Sequence, residues 1–453
     1  MQTSERVQLS QRERASRTAP LEAGPSRLEW VIAVFAALVQ QGAFVYMPLL
    51  FSNQSLLIRQ DQNELNTIAV AASLLSILTV CIWQGRSIGF LAKKNFLSIL
   101  FLLLVLASAF WSIHPDISLR RGVGYVLTLL VAAYLTVRFD LDNRMKVLSY
   151  SFAISGLGSL LFVAAFPGAG IMNFEELSGN WRGVFTHKNV LGSTMAVAVF
   201  VQLYILCGDR RTGWRYALLA IFLFLVVMSH SATALILSAI YIIGALVFAL
   251  GRSSILVGII ASLVVATGVS VVLWFLLVDP EVLLGALGKD LTLTGRTGIW
   301  NIVTSWISER PFLGYGYRAM WVVDDPYTIS VERLVGWSVP SSHNAFLELT
   351  LQLGFLGLGA VLAIIASALC RGFKCWLTVP GRLGIFSIMF FLGVLLAGQT
   401  METLAQNQVI EWVVFNLLMF SCGMALANNQ FARRRGEMVS MVSRRTQTSP
   451  RRV

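Results

Sequence analysis

The stretch "SSHNAFLELTLQLGFLG", residues 341–357, begins with small polar residues and one histidine and then becomes apolar. The apolar run continues to residue 369, which is long enough for a transmembrane helix, since a span needs about 20 such residues. Ionisable side chains inside a span are rare and are usually functional, yet Glu348 stands within this run. The stretch therefore predicts a membrane helix with a polar entrance at His343 and a functional carboxyl group further in.

The rest of the chain has the same membrane character. Of its 453 residues, 56% are hydrophobic and only 13% are charged, a balance that excludes a soluble globular protein. Hydropathy predicts twelve spans. They cover residues 30–51, 66–84, 95–112, 121–137, 147–166, 188–206, 215–229, 232–250, 254–278, 344–369, 383–400 and 409–428. We therefore predict an all-α polytopic membrane protein.

The orientation follows from the basic residues of the short loops. If the amino terminus lies in the cytoplasm, Lys and Arg concentrate in the inside segments, and both termini are cytoplasmic. The formal charge of +12 is then explained by topology and by attraction to anionic membrane lipid, so no nucleic-acid partner is implied.

This topology divides the chain into five segments. They are a disordered Arg-rich tail (1–28), nine transmembrane helices (29–278), one large outer loop (279–342), three further transmembrane helices (343–428) and a basic tail (429–453). Within the loop, "GRTGIWNIVTSWISERP" (295–311) places apolar and polar residues on opposite sides of a helix that Pro311 ends. We predict an amphipathic helix that rests on the membrane interface.

Polar residues collect in three outer connections. These are "GNWRGVFTHKNVLGS" (179–193), "MSHSATAL" (228–235) and "VPSSHNAFLEL" (339–349). Each begins a helix that runs inward, so three helix N-termini, with unpaired amide groups and positive dipole ends, face outward. The predicted N-caps are Thr186, Ser231 and Ser342.

Helix N-termini with cations nearby suit a phosphate group, and Arg182, Lys188 and Arg296 supply the cations. The alternative is that Arg182 and Lys188 are interfacial anchors that contact lipid headgroups. For His343 the alternatives are a catalytic group and an interfacial cap or headgroup contact. The residues alone leave these alternatives open.

Helical spacing limits the partners of Glu348. Positions 344 and 348 share a helix face, whereas 343 and 348 lie about 140° apart. We expect Glu348 to pair with Asn344 or with a cation on another helix, and not to orient His343 directly. In the outer loop, "DDPY" (324–327) is interpreted as a turn, because a hard-cation site needs more oxygen ligands than one Asp pair supplies.

Three stretches, in this order and at these topological positions, resemble the superfamily of Wzy-type polysaccharide polymerases and O-antigen ligases. "WRGVFTHKNVLGS" resembles its outer Arg-containing segment, "GRTGIWNIVTSWISERPFLGYG" the start of its large periplasmic loop, and "SSHNAFLELTLQLGFLG" the His-containing end of that loop. "THKN" and "SHSATAL" are most similar to exopolysaccharide polymerases of the succinoglycan type. One departure is His230, where family members usually carry Lys or Arg.

The resemblance implies a membrane glycosyltransferase of the bacterial inner membrane whose active site faces the periplasm and which needs no cofactor. The donor is a glycan linked through diphosphate to undecaprenol, and the acceptor is a second such glycan. Arg182 and Arg296 would bind the diphosphate, and His343 would act at the acceptor hydroxyl or support the departing diphosphate. The implied substrate-binding residues are Lys188, His187, Asn189, Asn344, Glu348, His230 and Arg318. Other partners would be membrane lipid, a chain-length regulator and export proteins.

Three functions are compatible with these features. A polymerase would join lipid-linked repeat units into an exopolysaccharide or O-antigen chain, and a ligase would transfer the glycan to lipid A core or to a protein. A transporter or flippase would bind its substrate near the bilayer midplane, often between interrupted helices. The polar residues here collect on one face of the membrane instead. We expect the polymerase, with the ligase as the alternative.

Overall fold

A computed structural model describes residues 24–44, 64–173, 178–208, 212–254, 296–322, 325–335 and 341–447, together with 256, 257, 260 and 339. These residues form helices and connecting loops, with one isolated antiparallel bridge between Ile171 and Trp181. Most of the predicted tail 1–28 and almost all of the predicted span 254–278 lie outside the described residues.

Fourteen helices are labelled in chain order within the described ranges. They are α1 (Arg27–Val39), α2 (Glu64–Trp83), α3 (Gly85–Lys94), α4 (Phe96–Ala107), α5 (Pro115–Arg138), α6 (Leu141–Ala165), α7 (Lys188–Leu206), α8 (Gly213–Met228), α9 (Ala232–Ser253), α10 (Arg296–Glu309), α11 (Pro326–Val335), α12 (Ala345–Thr378), α13 (Leu383–Ala397) and α14 (Ile410–Gln447). A 3₁₀ turn at Ser108–Phe110 follows α4, and a single turn at Pro167–Gly170 follows α6.

Every predicted span other than 254–278 overlaps a helix, so the described part of the chain is an all-helical polytopic membrane protein. By length and composition, six of the described helices can cross a membrane, namely α5, α6, α7, α9, α12 and the first part of α14 (Ile410–Ala432). A seventh span results if α3 and α4, which are bent by 88° relative to each other, count together. The apolar parts of α2, α8 and α13 are shorter, and the number twelve stays a prediction.

Helix α7 lies at the centre of the bundle. It is apolar on nearly all sides, and 89% of its most apolar 18-residue stretch is buried inside the protein. This is expected for a helix that is surrounded by others. Phe200 packs on Phe390 of α13, with ring centroids 4.8 Å apart, and on Tyr241 of α9 at 5.0 Å. The N-terminus of α7 is thereby held among the helices that carry the other polar connections.

Helix α12 is interrupted at Gly354, which has φ 62° and ψ −169°. The turn that follows α10 fills the interruption and replaces the lost helical bonds. Tyr315 N and Gly316 N donate to the carbonyls of Leu351 and Gln352 at 3.0 and 2.9 Å, and Phe355 N donates to Pro311 O at 2.7 Å. The long connection after α10 is therefore locked into the helix that follows His343.

The predicted amphipathic helix is present as α10. The prediction that its apolar face rests on the membrane interface is wrong, because this face is buried inside the protein. Ile299, Val303, Trp306 and Ile307 are buried in a cluster with residues of the following loop and of α12. Tyr315, Met320, Val331 and Leu351 complete this cluster. The protein itself covers the apolar face, because the turn docked at Gly354 brings α12 and the loop against it.

Candidate functional site

The first part of the candidate site is the N-terminus of α7. The N-cap is His187, whose Nδ1 accepts a hydrogen bond from the backbone N–H of Asn189 at 3.1 Å. The predicted cap Thr186 is therefore wrong by one residue. Lys188 is the first residue of α7, and its Nζ donates to the carbonyl oxygen of His230 at 3.4 Å. This bond joins the beginning of α7 to the connection between α8 and α9.

Arg182 is held in the loop before α7 by the turn Pro167–Gly170. Its backbone N–H donates to Gly170 O at 2.9 Å and its Nε donates to Ala169 O at 2.7 Å. The side chain is buried, and burial lowers the pKa of its guanidinium group. Because arginine keeps its proton under all ordinary conditions, Arg182 is a buried cation.

Arg296 begins α10 and donates from Nη1 to the carbonyl oxygen of Thr400 at 3.2 Å. Thr400 lies in the loop of residues 398–409 between α13 and α14, and its Oγ1 is 2.7 Å from Oγ1 of Thr233 on α9. Burial lowers the pKa of the Arg296 guanidinium as well. Arg182 and Arg296 thus donate to backbone carbonyls, which orient these cations and do not neutralise them.

His343 precedes α12 in a strained conformation, with φ +51°. Its backbone N–H donates to Ser341 Oγ at 3.1 Å. Asn344 is the N-cap, since its Oδ1 accepts from the amides of Phe346 and Leu347 at 3.0 and 3.2 Å. The predicted cap Ser342 is therefore wrong, and its hydroxyl instead donates to the carbonyl of Asn344.

Both histidines of this region are neutral at physiological pH. Burial, then the charges of Arg296 and His187, lowers the pKa of His343 to about 3. Burial, then the charges of Lys188 and Arg182, lowers the pKa of His187 to about 4. Because Nδ1 of His187 accepts a hydrogen bond, its proton is on Nε2. We call Arg182, His187, Lys188, Arg296 and His343 the first cluster.

Glu348 does not have the partners predicted from helical spacing. Its carboxyl oxygens accept from Trp321 Nε1 at 3.0 Å, Ser342 N at 3.0 Å and Gln352 Nε2 at 2.8 Å. The expected bond to Asn344 or to a cation is wrong, because Asn344 caps the helix and the loop delivers an indole N–H instead. Glu348 thus fixes the residue before His343 and touches His343 only indirectly.

The remaining predicted residues lie at different places. His230 is exposed, has φ +48° and places Nδ1 3.1 Å from Met228 O. Ser231 occupies the N-cap position of α9 without a side-chain capping bond. Arg318 donates from Nη1 to Asn407 Oδ1 at 2.8 Å. The sequence analysis did not single out Arg121, Thr400, Glu402 or Asn407. The polar segment "GQTMETLAQNQ" (398–408), which lies between two apolar runs, could have indicated the last three.

Backbone strain is concentrated in the same connections. Non-glycine residues with φ above zero are uncommon and cluster at functional sites. Among the described residues they are Phe44, His230, Arg318, Trp321, His343, Ala405 and Gln408. All but Phe44 lie in the loops that precede α9, α12 and α14 or follow α10.

The O-antigen ligase family (Wzy_C) matches residues 217–362, a range that includes His230, Arg296, His343 and Glu348. The exopolysaccharide production protein ExoQ of Rhizobium meliloti (strain 1021) is 30% identical over 277 residues, which cover 57% of this chain and 61% of that protein. The predicted resemblance to the superfamily of Wzy-type polymerases and O-antigen ligases, and to its succinoglycan-like members, is confirmed.

The residues matched by the family include only part of the first cluster, and the structure brings the other part beside it. Arg296 and His343 fall within the matched residues, whereas Arg182 and Lys188 precede them. The structure joins the two halves, since His187 lies near enough to His343 to lower its pKa and Lys188 donates to the carbonyl of His230. In the described residues, no three His, Cys, Asp or Glu side chains come together as metal ligands would.

Proposed function

We propose that the protein is a polysaccharide polymerase that joins undecaprenyl-diphosphate-linked repeat units into an exopolysaccharide or O-antigen chain on the periplasmic face of the inner membrane. The observation that carries the proposal is the first cluster. Arg182 and Arg296 hold their charge against neutral carbonyls, and with Lys188 they lie around a neutral histidine beside the N-termini of α7 and α12. Helix N-termini and cations together favour a diphosphate.

The reaction needs charge neutralisation and alignment. The acceptor hydroxyl oxygen attacks the anomeric carbon of the donor sugar, a glycosidic bond forms, and the bond from that carbon to the diphosphate oxygen breaks. The departing undecaprenyl diphosphate takes the electron pair, and Arg182, Arg296 and Lys188 stabilise its charge. One lost charge contact of this kind would raise the barrier by about 3 kcal/mol, by analogy with oxyanion-hole deletions.

His343 accepts the hydroxyl proton in this scheme. Its low pKa keeps the imidazole unprotonated in the free protein, and the approach of a diphosphate raises its basicity by adding negative charge beside Arg296. A positioned general base contributes roughly 10² to 10⁴ in rate. In this proposal His187, with its proton on Nε2, donates a hydrogen bond to the same anion.

The test uses a deletion strain that expresses the wild-type protein, His343→Ala, Arg182→Ala or, as a matched control, Arg333→Ala, which removes an exposed arginine on α11. We expect the first two variants to accumulate in the membrane while single lipid-linked repeat units build up and polymer is absent. Arg333→Ala should make normal polymer. Normal polymer from both His343→Ala and Arg182→Ala would contradict the proposal.

The second candidate is an O-antigen ligase, which the description of the matched family favours. A ligase would use the same first cluster with lipid A core or a protein hydroxyl as acceptor. In the deletion strain, long polymer that stays on the lipid carrier would identify the ligase, because chain growth would then be independent of this protein.

A further inference from the structure

A short segment outside the first cluster contacts three of the helices around it. Residues 398–400 begin the loop between α13 and α14, and they lie beyond the residues matched by the O-antigen ligase family, which end at 362. Helices α9, α10 and α12 each make a hydrogen bond to this segment. A part of the chain that the family match does not include therefore holds these three helices together.

Two of the hydrogen bonds place Arg296 and His343 relative to each other. The carbonyl oxygen of Gly398 accepts from the backbone N–H of Ala345 at 2.7 Å, at the first residue of α12 and two residues after His343. The carbonyl oxygen of Thr400 accepts from Arg296 Nη1 at 3.2 Å. Because the two acceptors are only two residues apart, a shift of this segment would move the Arg296 guanidinium relative to the N-terminus of α12.

The segment is closely packed on the side that faces α12. A Cβ at Gly398 would lie 3.3 Å from Phe346 Cε2, in the first turn of α12, and 3.3 Å from Leu404 Cδ1. These distances are shorter than an ordinary van der Waals contact. Close packing therefore leaves residues 398–400 little room to move towards α12.

The third hydrogen bond fixes the segment to α9 through two side chains. Thr400 Oγ1 lies 2.7 Å from Oγ1 of Thr233, the second residue of α9, and either hydroxyl can donate. The contact of Thr400 Oγ1 with Ala397 O is 3.5 Å long and is therefore weak. Of the three hydrogen bonds to helices, this one alone joins two side chains, so a substitution at either end can remove it without changing the backbone.

We propose that Thr233 and Thr400 are positioning residues for the polymerase reaction, because their hydroxyl pair ties residues 398–400 to α9 and thereby fixes the guanidinium group of Arg296 where it binds the diphosphate. The inference rests on the proposed function, in which Arg296 is a diphosphate ligand. The two hydroxyls act through Arg296 and do not touch the reacting atoms. Positioning of this kind matters, since a displacement near 1 Å can cost about 10² in rate.

The experiment measures the affinity of the purified full-length protein in detergent for farnesyl diphosphate, a short soluble polyprenyl diphosphate, by calorimetry. Thr400→Val removes the hydroxyl and keeps the β-branched shape, and it should weaken binding about ten-fold, which the net loss of one hydrogen bond allows. Thr400→Ser keeps the hydroxyl and should restore the wild-type affinity. Thr304→Val is the matched control, because it removes an exposed hydroxyl of α10 that donates to Trp300 O in the same helix; it should bind like the wild type.

Two double variants test whether the hydroxyls act as a pair and through Arg296. Since either single change already breaks the pair, Thr233→Val combined with Thr400→Val should bind no more weakly than Thr400→Val alone. Thr400→Val added to Arg296→Gln, which still binds through Arg182 and Lys188, should cause no further loss. Membrane accumulation and melting temperature, measured for every variant, separate a loss of folding from a loss of affinity. If Thr400→Val does not accumulate, Thr233→Val breaks the same pair and takes its place.

The possible failures are distinguishable. If Arg296→Gln weakens binding while Thr400→Val and Thr233→Val fold and bind normally, the positioning role is overturned and the proposed function stands. If Thr400→Val weakens binding equally in the wild-type and the Arg296→Gln protein, the hydroxyls do not act through Arg296, and the inference is again overturned. If the wild-type protein does not bind farnesyl diphosphate, or Arg296→Gln binds it equally well, the proposed function fails and this inference fails with it.

Discussion

Glu348→Gln should be well tolerated, whereas Glu348→Ala should be severe. The Glu348 carboxyl group is 1% exposed and accepts hydrogen bonds from Trp321 Nε1, Ser342 N and Gln352 Nε2. In Glu348→Ala the buried donors of Ser342 and Gln352 and the partly buried indole of Trp321 lose their acceptor, and each unsatisfied buried group costs about 1 to 3 kcal/mol. The total of about 3 kcal/mol or more is a large part of the 5 to 15 kcal/mol that typically stabilises a protein.

Glutamine at position 348 has a rescue that the structure supplies. Its amide oxygen can keep the bonds to Ser342 and Trp321, and its NH₂ group then faces Gln352. Oε1 of Gln352 is buried without a hydrogen-bond partner, so a half-turn of the Gln352 amide presents an acceptor to the new NH₂. The substitution then loses only the extra strength of hydrogen bonds to a charged acceptor, about 1 kcal/mol.

The assay compares membrane accumulation, thermal stability in detergent and polymer synthesis for the two variants, for Gln352→Leu, and for Glu348→Gln combined with Gln352→Leu. We expect Glu348→Gln to keep polymer synthesis within about ten-fold of the wild-type rate. Glu348→Ala should lose about 10² or more, because Ser342 no longer fixes His343, and displacements near 1 Å can have that effect. The double variant should be less stable than the sum of its single changes, since it removes the rescue.

One result would refute this reasoning. If Glu348→Gln were stable and accumulated normally but were as inactive as Glu348→Ala, the negative charge of Glu348 would itself be required. Glu348 would then be part of the chemistry and not an anchor for the residues around His343.

Three further predictions follow from other contacts. Gly354→Ala should prevent accumulation, because its Cβ would lie 2.1 Å from the carbonyl carbon of Phe312 at φ 62°; Gly359→Ala, in open space on the same helix, should accumulate normally on an immunoblot. The acid limb of kcat/KM should lie below pH 5, because the lowered pKa of His343, about 3, keeps it unprotonated above that pH; a limb centred near the ordinary value of about 6.5 would contradict this. Asn344→Ala should lower the melting temperature through the loss of about 1 kcal/mol of capping, whereas Asn344→Asp should retain the cap.

The sequence predicts what depends on local pattern. Apolar runs place the helices, and the periodicity of residues 295–311 places α10 with Pro311 just beyond its end. The cations Arg182, Lys188 and Arg296 could be identified because they lie in short polar segments between apolar runs. These features need only neighbours along the chain, so a single sequence carries them.

The interruption of α12 could not be predicted in this way. Glycine within an apolar run is compatible with a continuous membrane helix, and the break at Gly354 is stable only because the residues 311–316 supply the missing hydrogen bonds. The partners of Glu348 depend on the same long-range contact, because Trp321 belongs to the loop that this docking positions. Spacing within one helix therefore predicted the wrong partners.

The strained residues connect this long-range docking to the proposed reaction. A non-glycine residue with φ above zero costs about 1 to 3 kcal/mol and persists only where its surroundings determine it. His343 is held by Ser341 and, through Ser342, by Glu348, while Glu348 is held by Trp321, itself at φ +62°. Since a diphosphate is already a good leaving group, the proposed reaction depends on placing a weak base against a fixed cation more than on acid strength. The strained backbone at these residues costs folding free energy. That cost is consistent with the requirement, because the contacts that maintain the strain fix His343 relative to Arg296 before any substrate binds.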